Sequence, residues 1–300
     1  MLHYLEFQLL KIIKTFPSSP HFIVMVSGGR DSMSLLTMFL KVKHWPKSPS
    51  FSFEVFHAQH HLRGEESLAD QKFVEDTCKL HNISYSVEEW NEHPHSNKQQ
   101  QAREWRYLSA RERVKHPNTF ITTAHHARDH VETVLLHLLR GSGLDGLKGI
   151  NLLERDLFRP LHMVPFEELC QYQVQQNIPF REDSSNKSLH YVRNLLREKV
   201  LPVFSQINPS YEKSFRHFSE SMDKSSSLLE LAKNEDQSLR KILTKNVLDN
   251  LEHEIKLFKH TKQPYKRIPL KHPWSFEIHA HGNEELTYQF HKIETSVASQ

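Results

Sequence analysis

Residues 21–36 read HFIVMVSGGRDSMSLL. An apolar run comes first, then two adjacent glycines among polar residues, then an apolar-periodic stretch. The run is short, continuous and rich in β-formers, as a strand buried in a parallel sheet would be. Met33, Leu36 and Leu40 set a helical period over 32–43. Only 8 glycines occur in 300 residues, so a pair at a strand-to-helix turn needs a local reason. Glycine admits backbone angles closed to other residues and lets a ligand approach the main chain. The free N–H groups and positive end of the next helix favour an anion. A Walker A loop, GxxxxGK[ST], is excluded because no lysine follows. Ser27-Gly28-Gly29-Arg30-Asp31-Ser32 is thus either an anion cradle or an ordinary tight turn with Asp31 or Ser32 as helix cap.

The same alternation continues on both sides. Residues 2–16 have helical periodicity; 52–59, 83–90 and 118–126 read as strands; 66–81, 99–114 and 129–140 read as helices. Strand and helix in turn imply an α/β fold, a mostly parallel sheet with helices on both faces. Residues 166–177 and 189–205 are further helices. After Pro209 the chain becomes polar and helical, with strand candidates at SFEIHAH (275–281) and LTYQFHKIE (286–294). The expected division is a domain over 1–208 and a smaller, largely helical one over 209–300, whose last residues, TSVASQ, read as loose.

Composition sets bounds. With 37% hydrophobic and 25% charged residues, the chain is globular and long enough for a sizeable core, not disordered. A net charge of +3 is too small to argue by itself for an RNA partner. Two cysteines, Cys78 and Cys170, lie too far apart for a CxxC site or a disulfide framework, which points to a reducing cytoplasm. The opening MLHYLEFQLLKIIKTF carries Glu6, Gln8 and Lys11, so it reads as an amphipathic helix and not a signal peptide. No uncharged run approaches the ~18 residues of a membrane span.

Other residues admit two readings each. Asp129 and Glu132, three apart near a helix start, either hold an amine or are solvated capping acids. His125 and His126 stand at a strand end, where open α/β sheets bind ligands; a satisfied core histidine is the alternative. His126 and His130 share zinc-pair spacing, but an HExxH site needs glutamate where Ala127 stands. Arg103 with Arg106, and Arg193 with Arg197, share helix faces. Each pair is either a surface partner for nearby acids or a fork for phosphate.

Taken together, these stretches resemble a known family. SGGRDS after a first strand is similar to the pyrophosphate loop of the PP-loop ATP pyrophosphatases, a Rossmann-like fold. QHHLRGEES (59–67), AREWRY (102–107), TAHHARDHVET (123–133), RGSGLDGLKGI (140–150) and REDSSNKSLHYVRNLLREKVLP (181–202) resemble, in order, segments of the tRNA(Ile)-lysidine synthetases. The resemblance covers roughly residues 22–205 and is loose beyond. It implies a cytoplasmic ATP-dependent carbon–nitrogen ligase that acts on isoleucine tRNA with a CAU anticodon and on free L-lysine. ATP adenylates the C2 oxygen of the wobble cytidine, releasing pyrophosphate, and the lysine amine then expels AMP. By the same resemblance, Ser27, Gly28, Gly29, Arg30, Asp31 and Ser32 bind ATP or pyrophosphate. Asp31, with Mg2+ as a metal, His125 and Arg197 are catalytic; Arg106, Asp129 and Glu132 bind lysine; Arg103, Arg193 and Arg197 contact tRNA or phosphate. The C-terminal domain would touch the tRNA, and oligomeric state stays open.

Three positions depart from the family pattern. Against the commonest HHADDQxET, Arg128 replaces the first aspartate and His130 the glutamine. Gln59 stands where an acidic residue or asparagine is usual. Two other readings remain: a tRNA thiolase of the same superfamily, which would want poised cysteines, and a catalytically silent tRNA-binding relative.

Overall fold

The computed structural model describes residues 1–17, 19–61, 64–90, 98–182, 192–233, 247, 249–251, 253–255, 265–270, 274–281 and 285–292. Four strands, β1 (His21–Met25), β2 (Ser52–Gln59), β3 (Tyr85–Glu89) and β4 (Thr119–Thr122), form a parallel sheet with the two-residue strand β6 (Leu157–Phe158). β5 (Leu153–Glu154) closes the edge as an antiparallel hairpin arm, in the order β3-β2-β1-β4-β6-β5. β1 is central: Val24 pairs with Val55 on one side and Thr122 on the other.

Alternate residues of β1 feed two cores, as the pleat requires. Phe22 and Val24 pack with α1 (Tyr4–Ile13), α2 (Arg30–Lys43), α3 (Glu65–Leu80) and α7 (Phe166–Gln175), through Leu9, Phe39, Val74 and Leu169. Ile23 and Met25 pack on the other face with Phe56, Ile121 and Leu157, under Ala110 and Tyr107 of α4 (Lys98–Arg111). Helices therefore cover both faces, as expected.

Glu6 is not on the wet side of its amphipathic helix. It is 1% exposed, accepts the His3 N–H at 2.7 Å and the Tyr172 hydroxyl at 2.9 Å, and pairs with Lys41 at 3.3 Å. A third cluster joins Val131 and Leu135 of α5 (Ala127–Leu139) to Leu196, Leu201 and Tyr211. Those residues come from a π-helical turn (Leu196–Val200) that follows α8 (Val192–Leu195), from α9 (Leu201–Ile207) and from the start of α10 (Tyr211–Lys233). This packing lays the arginines of 193–197 along α5.

The chain forms two compact units, Met1–Leu136 with Gly149–Arg216, and His137–Lys148 with His217–Gln300. In the second, α6 (Leu144–Leu147) and its flanks are tied to α10: Ser219 donates to the Leu147 carbonyl and Ser226 to Asp145, both at 2.9 Å. The C-terminal part is less helical than expected. Its described residues include an antiparallel sheet of β7 (Tyr265–Pro269), β8 (Trp274–His281) and β9 (Glu285–Lys292). Phe276 pairs with Phe290, ring centroids 4.9 Å apart, and buries one face with Ile278 and Ile268. The period of two in WSFEIHAH and ELTYQFHK outweighs the polar composition. Leu62, Arg63, the DSSN of 183–186, residues 234–246 and the terminal TSVASQ lie outside the described residues.

Candidate active site

The sheet order changes direction at β1: β2 lies on one side and β4 on the other. The crevice at the carboxyl ends of such a pair is where open α/β sheets bind ligands. Ser27–Ser32 leaves β1 there, and His125 and His126 leave β4.

The glycine turn has a constrained backbone. Gly28 has φ +88°, which side chains rarely adopt, although an added Cβ would meet nothing closer than 3.6 Å. The backbone angle, not crowding, demands glycine here. Ser32 Oγ donates to the Gly29 carbonyl at 2.9 Å and receives the Ser27 N–H at 3.2 Å, and Arg181 N–H donates to the Gly28 carbonyl at 3.0 Å. Gly29, the residue before α2, has no side-chain cap, so neither Asp31 nor Ser32 serves as its N-cap.

Asp31 points from α2 toward the end of β4. Its Oδ2 lies 3.7 Å from His126 Nε2, and its Oδ1 is buried without a hydrogen-bond partner. His126 Nε2 also lies 3.4 Å from Asp129 Oδ2, so one imidazole spans the two carboxylates. Burial works against a charge on His126, but Asp129 and Asp31 outweigh it and raise its pKa. Asp129 Oδ2 accepts the His126 N–H at 3.0 Å, as a first-turn acid does. Burial pushes the Asp129 carboxyl up; His126, His125 and Arg197 override that and hold it well below the usual range.

Neither acid on α5 is solvated. Glu132 is 0% exposed and Asp129 7%. Arg197 closes on both: its Nη2 donates to Asp129 Oδ1 at 2.9 Å and to Glu132 Oε2 at 3.1 Å, and its Nε donates to Glu132 Oε1. The fork grips Glu132 bidentately and bridges to Asp129. Burial lifts the Glu132 pKa, Asp129 adds to that, and Arg197 only partly offsets it; the Arg197 guanidinium is held firmly cationic against burial by the two acids. Arg193 stands beside this trio, reaching Thr133 Oγ1 at 3.5 Å.

His125 has a different environment. Thr123 Oγ1 is 2.7 Å from its Nδ1. Burial, assisted by Arg103, Arg159 and Arg106 against the pull of Asp129, lowers its pKa to about 3, so the ring is neutral at physiological pH. Arg103 and Arg106 flank Tyr107, each guanidinium 5.4 Å from the ring centre. Among the described residues no hydrogen bond or ion pair joins Arg106 to Asp129 or Glu132. The nominated residues therefore fall into two linked groups. Asp31, His126, Asp129, Glu132 and Arg197 form a chain of charge, and Arg103 and Arg106 stand near His125.

Two neighbours, Phe166 and Arg159, carried no signal in the sequence, and the three residues that depart from the family pattern all have partners. Phe166, first residue of α7, receives Arg30 at 5.0 Å, Arg128 at 3.5 Å and the His126 ring at 5.2 Å. Arg128 also faces Glu212 at 3.9 Å. Arg159 reaches Glu154 at 3.0 Å. Gln59 is buried and satisfied, donating to the Ser67 carbonyl at 2.8 Å and accepting the His61 N–H at 3.2 Å. His130 accepts the Ile150 N–H at 3.0 Å.

Comparison with known proteins agrees with this geometry. A family described as a PP-loop domain matches residues 1–204. A tRNA(Ile)-lysidine synthase of Petrotoga mobilis is 34% identical over 215 residues, 70% of this chain and 68% of that protein. A tRNA(Ile)-lysidine synthase of Bacillus cereus is 35% identical over 257 residues, 82% of this chain and 52% of that protein. The chain thus spans about half the length of the Bacillus relative. Among solved structures, the U34-tRNA thiolase NcsA from Methanococcus maripaludis with its [4Fe-4S] cluster superposes with a TM-score of 0.58 at 13% identity, over 72% of this chain and 77% of that one, a likeness of fold alone. No helix among the described residues is long and apolar enough to cross a membrane. A PP-loop turn at the switch point of the sheet, and relatives of one kind over most of the chain, place this protein in the tRNA(Ile)-lysidine synthase family.

Proposed function

We propose that the chain uses ATP to join L-lysine to C2 of the wobble cytidine in the CAU anticodon of isoleucine tRNA. The observation that carries this reading is the continuous link from the glycine turn through Asp31 and His126 to the two buried acids of α5. One end suits a polyphosphate and the other an amine, the two reactants that such a ligation must bring together.

The turn's N–H groups and Arg30 bind the pyrophosphate end of ATP. Asp31 is the residue suited to hold Mg2+, since its Oδ1 is buried and accepts no hydrogen bond among the described residues, with the Arg30 guanidinium no nearer than 3.8 Å; the ion would supply charge neutralisation for the leaving pyrophosphate. In the first step the cytidine O2 bonds to the α-phosphorus and the bond to pyrophosphate breaks. In the second the lysine ammonium first gives up a proton to free its lone pair, the amine nitrogen bonds to C2, the C2–O bond breaks, AMP leaves and the nitrogen loses a second proton. His125, neutral, borders the reacting groups without adding charge. Arg197 fills the place of the amine while lysine is absent. An incoming ammonium takes over its contacts with Asp129 and Glu132, and the freed guanidinium turns to phosphate. The region beyond residue 208 adds contacts to the tRNA.

The test is purified protein with ATP, labelled lysine and a transcript of isoleucine tRNA with a CAU anticodon. Lysine should enter the tRNA with stoichiometric release of AMP and pyrophosphate. Sulfur incorporation would point to a thiolase. Bound ATP and tRNA with no lysine transfer would point to a silent relative.

A further inference from the structure

A cleft of about 440 Å3 lies between α4 and the β5–β6 hairpin. Arg103, Tyr107 and Arg111 form one wall, and Arg155, Leu157 and Arg159 the other. Its size is that of a small-ligand or single-nucleotide site. Four arginines face two acids, Glu104 and Glu154. Arg111 is committed to Asp156 at 3.3 Å and Arg159 to Glu154 at 3.0 Å. Arg103 and Arg155 have no acid partner among the described residues. Arg155 sits at the hairpin tip with φ +56°, a backbone conformation uncommon outside glycine and asparagine. Tyr107 and the exposed Leu108, 59% accessible, both line the cleft. Arg103 and Arg159 also help to keep His125 neutral.

Unpaired guanidinium groups on either side of an aromatic and aliphatic wall suit a single-stranded nucleic acid. Phosphates take the arginines, one of them stacked on Tyr107, and a base takes the apolar neighbours. An ATP subsite fits less well, because the glycine turn already offers the polyphosphate its own cradle.

We propose that the cleft between α4 and the β5–β6 hairpin holds the RNA strand on the catalytic unit. Arg103, held against Tyr107, and Arg155 take its phosphates, and exposed Leu108 borders one of its bases. The assignment rests on the tRNA reading above. Arg155 is the residue to test, since it belongs to the hairpin and not to the site for ATP or lysine.

The experiment is equilibrium binding of the CAU-anticodon isoleucine tRNA transcript across a salt series, with the full chain. Arg155→Glu should weaken binding about tenfold near physiological salt. It should lower the slope of log affinity against log salt by about 0.7–1, the signature of one lost phosphate contact. Arg155→Asn, which suits the left-handed backbone, should reproduce the slope change with the turn intact. Lys47→Glu, the same charge change on an exposed residue before β2, should do much less, and the affinity of Arg155→Glu for ATP should match the wild type. Arg155→Glu indistinguishable from Lys47→Glu would sink the cleft while leaving the function standing. A wild-type chain that bound no RNA would sink both.

Discussion

Removing Arg197 strands Glu132 and leaves Asp129 with His126 as its near partner. In Arg197→Ala, Glu132, 0% exposed, and Asp129, 7% exposed, lose the guanidinium that holds both. Breaking a buried ion pair from one side costs about 3–5 kcal/mol. The Arg197 side chain is itself 33% exposed, so water screens part of that and about 2–3 kcal/mol is the better expectation. For a unit of this size the melting temperature should fall by roughly 5–10 °C. The loss should depend on pH, with a definite sign. Asp129 in the wild type has a depressed pKa, so its stabilisation is complete above its ordinary value and disappears as pH falls through the folded one. Without Arg197 both acids shift upward. The penalty is then full at neutral pH and shrinks as pH falls toward about 4, where the carboxyls take up protons. Urea unfolding of both proteins between pH 4 and 8 measures the difference. Adding Glu132→Gln should return much of the lost stability, because the uncompensated charge goes with it. A difference below about 0.5 kcal/mol, or one that stayed flat across this pH range, would refute the account of Arg197 as the counter-ion of both acids.

Further tests concern single elements of the site. The His125 imidazole should show no protonation by NMR between pH 5 and 8, since its pKa is lowered to about 3. The unfolded chain takes that proton near pH 6.5, so His125 costs stability as pH falls from there toward 3; a midpoint near 6.5 in the folded protein would contradict its burial among arginines. Gly28→Ala should cost about 1–2 kcal/mol and weaken ATP binding, measured by denaturation and titration, although the new methyl meets nothing nearer than 3.6 Å; unchanged stability would mean the turn tolerates a side chain at φ +88°. Gly149→Ala places a Cβ 2.4 Å from His130 Cε1 at φ +70° and should destabilise by about 2 kcal/mol or more in the same assay; a neutral result would show that His130 can leave Ile150 freely. Asp31→Asn should abolish ATP-dependent lysine transfer while the melting temperature moves little, given its 38% exposed side chain; full activity would remove Asp31 from the mechanism.

What the sequence makes legible here is what depends on near neighbours. The strand-to-helix turn at 27–32, the period-two runs of the sheet and the i,i+3 pair Asp129–Glu132 are local, and each stands where its spacing implies. Partners brought in by tertiary packing are another matter. Arg193 and Arg197 share a helix face in sequence, which leaves phosphate and surface acid equally open. The packing of Leu196 and Leu201 on Val131 and Leu135 decides between them. It turns Arg197 onto acids more than sixty residues earlier, across a π-helical turn that no periodicity announces. Glu6 shows the same limit: its i,i+3 relation to His3 is local, but the Tyr172 hydroxyl that makes its burial tolerable comes from α7. The β5–β6 hairpin is missed because two-residue strands carry no period, yet its tip sets Arg155 opposite α4. Local chemistry therefore marks which residues bear charge, and long-range packing decides which charges meet. On the proposed function, the acids that would hold a lysine amine are closed by an arginine that lysine would have to displace, so binding of the amine and release of a cation toward phosphate would be one event.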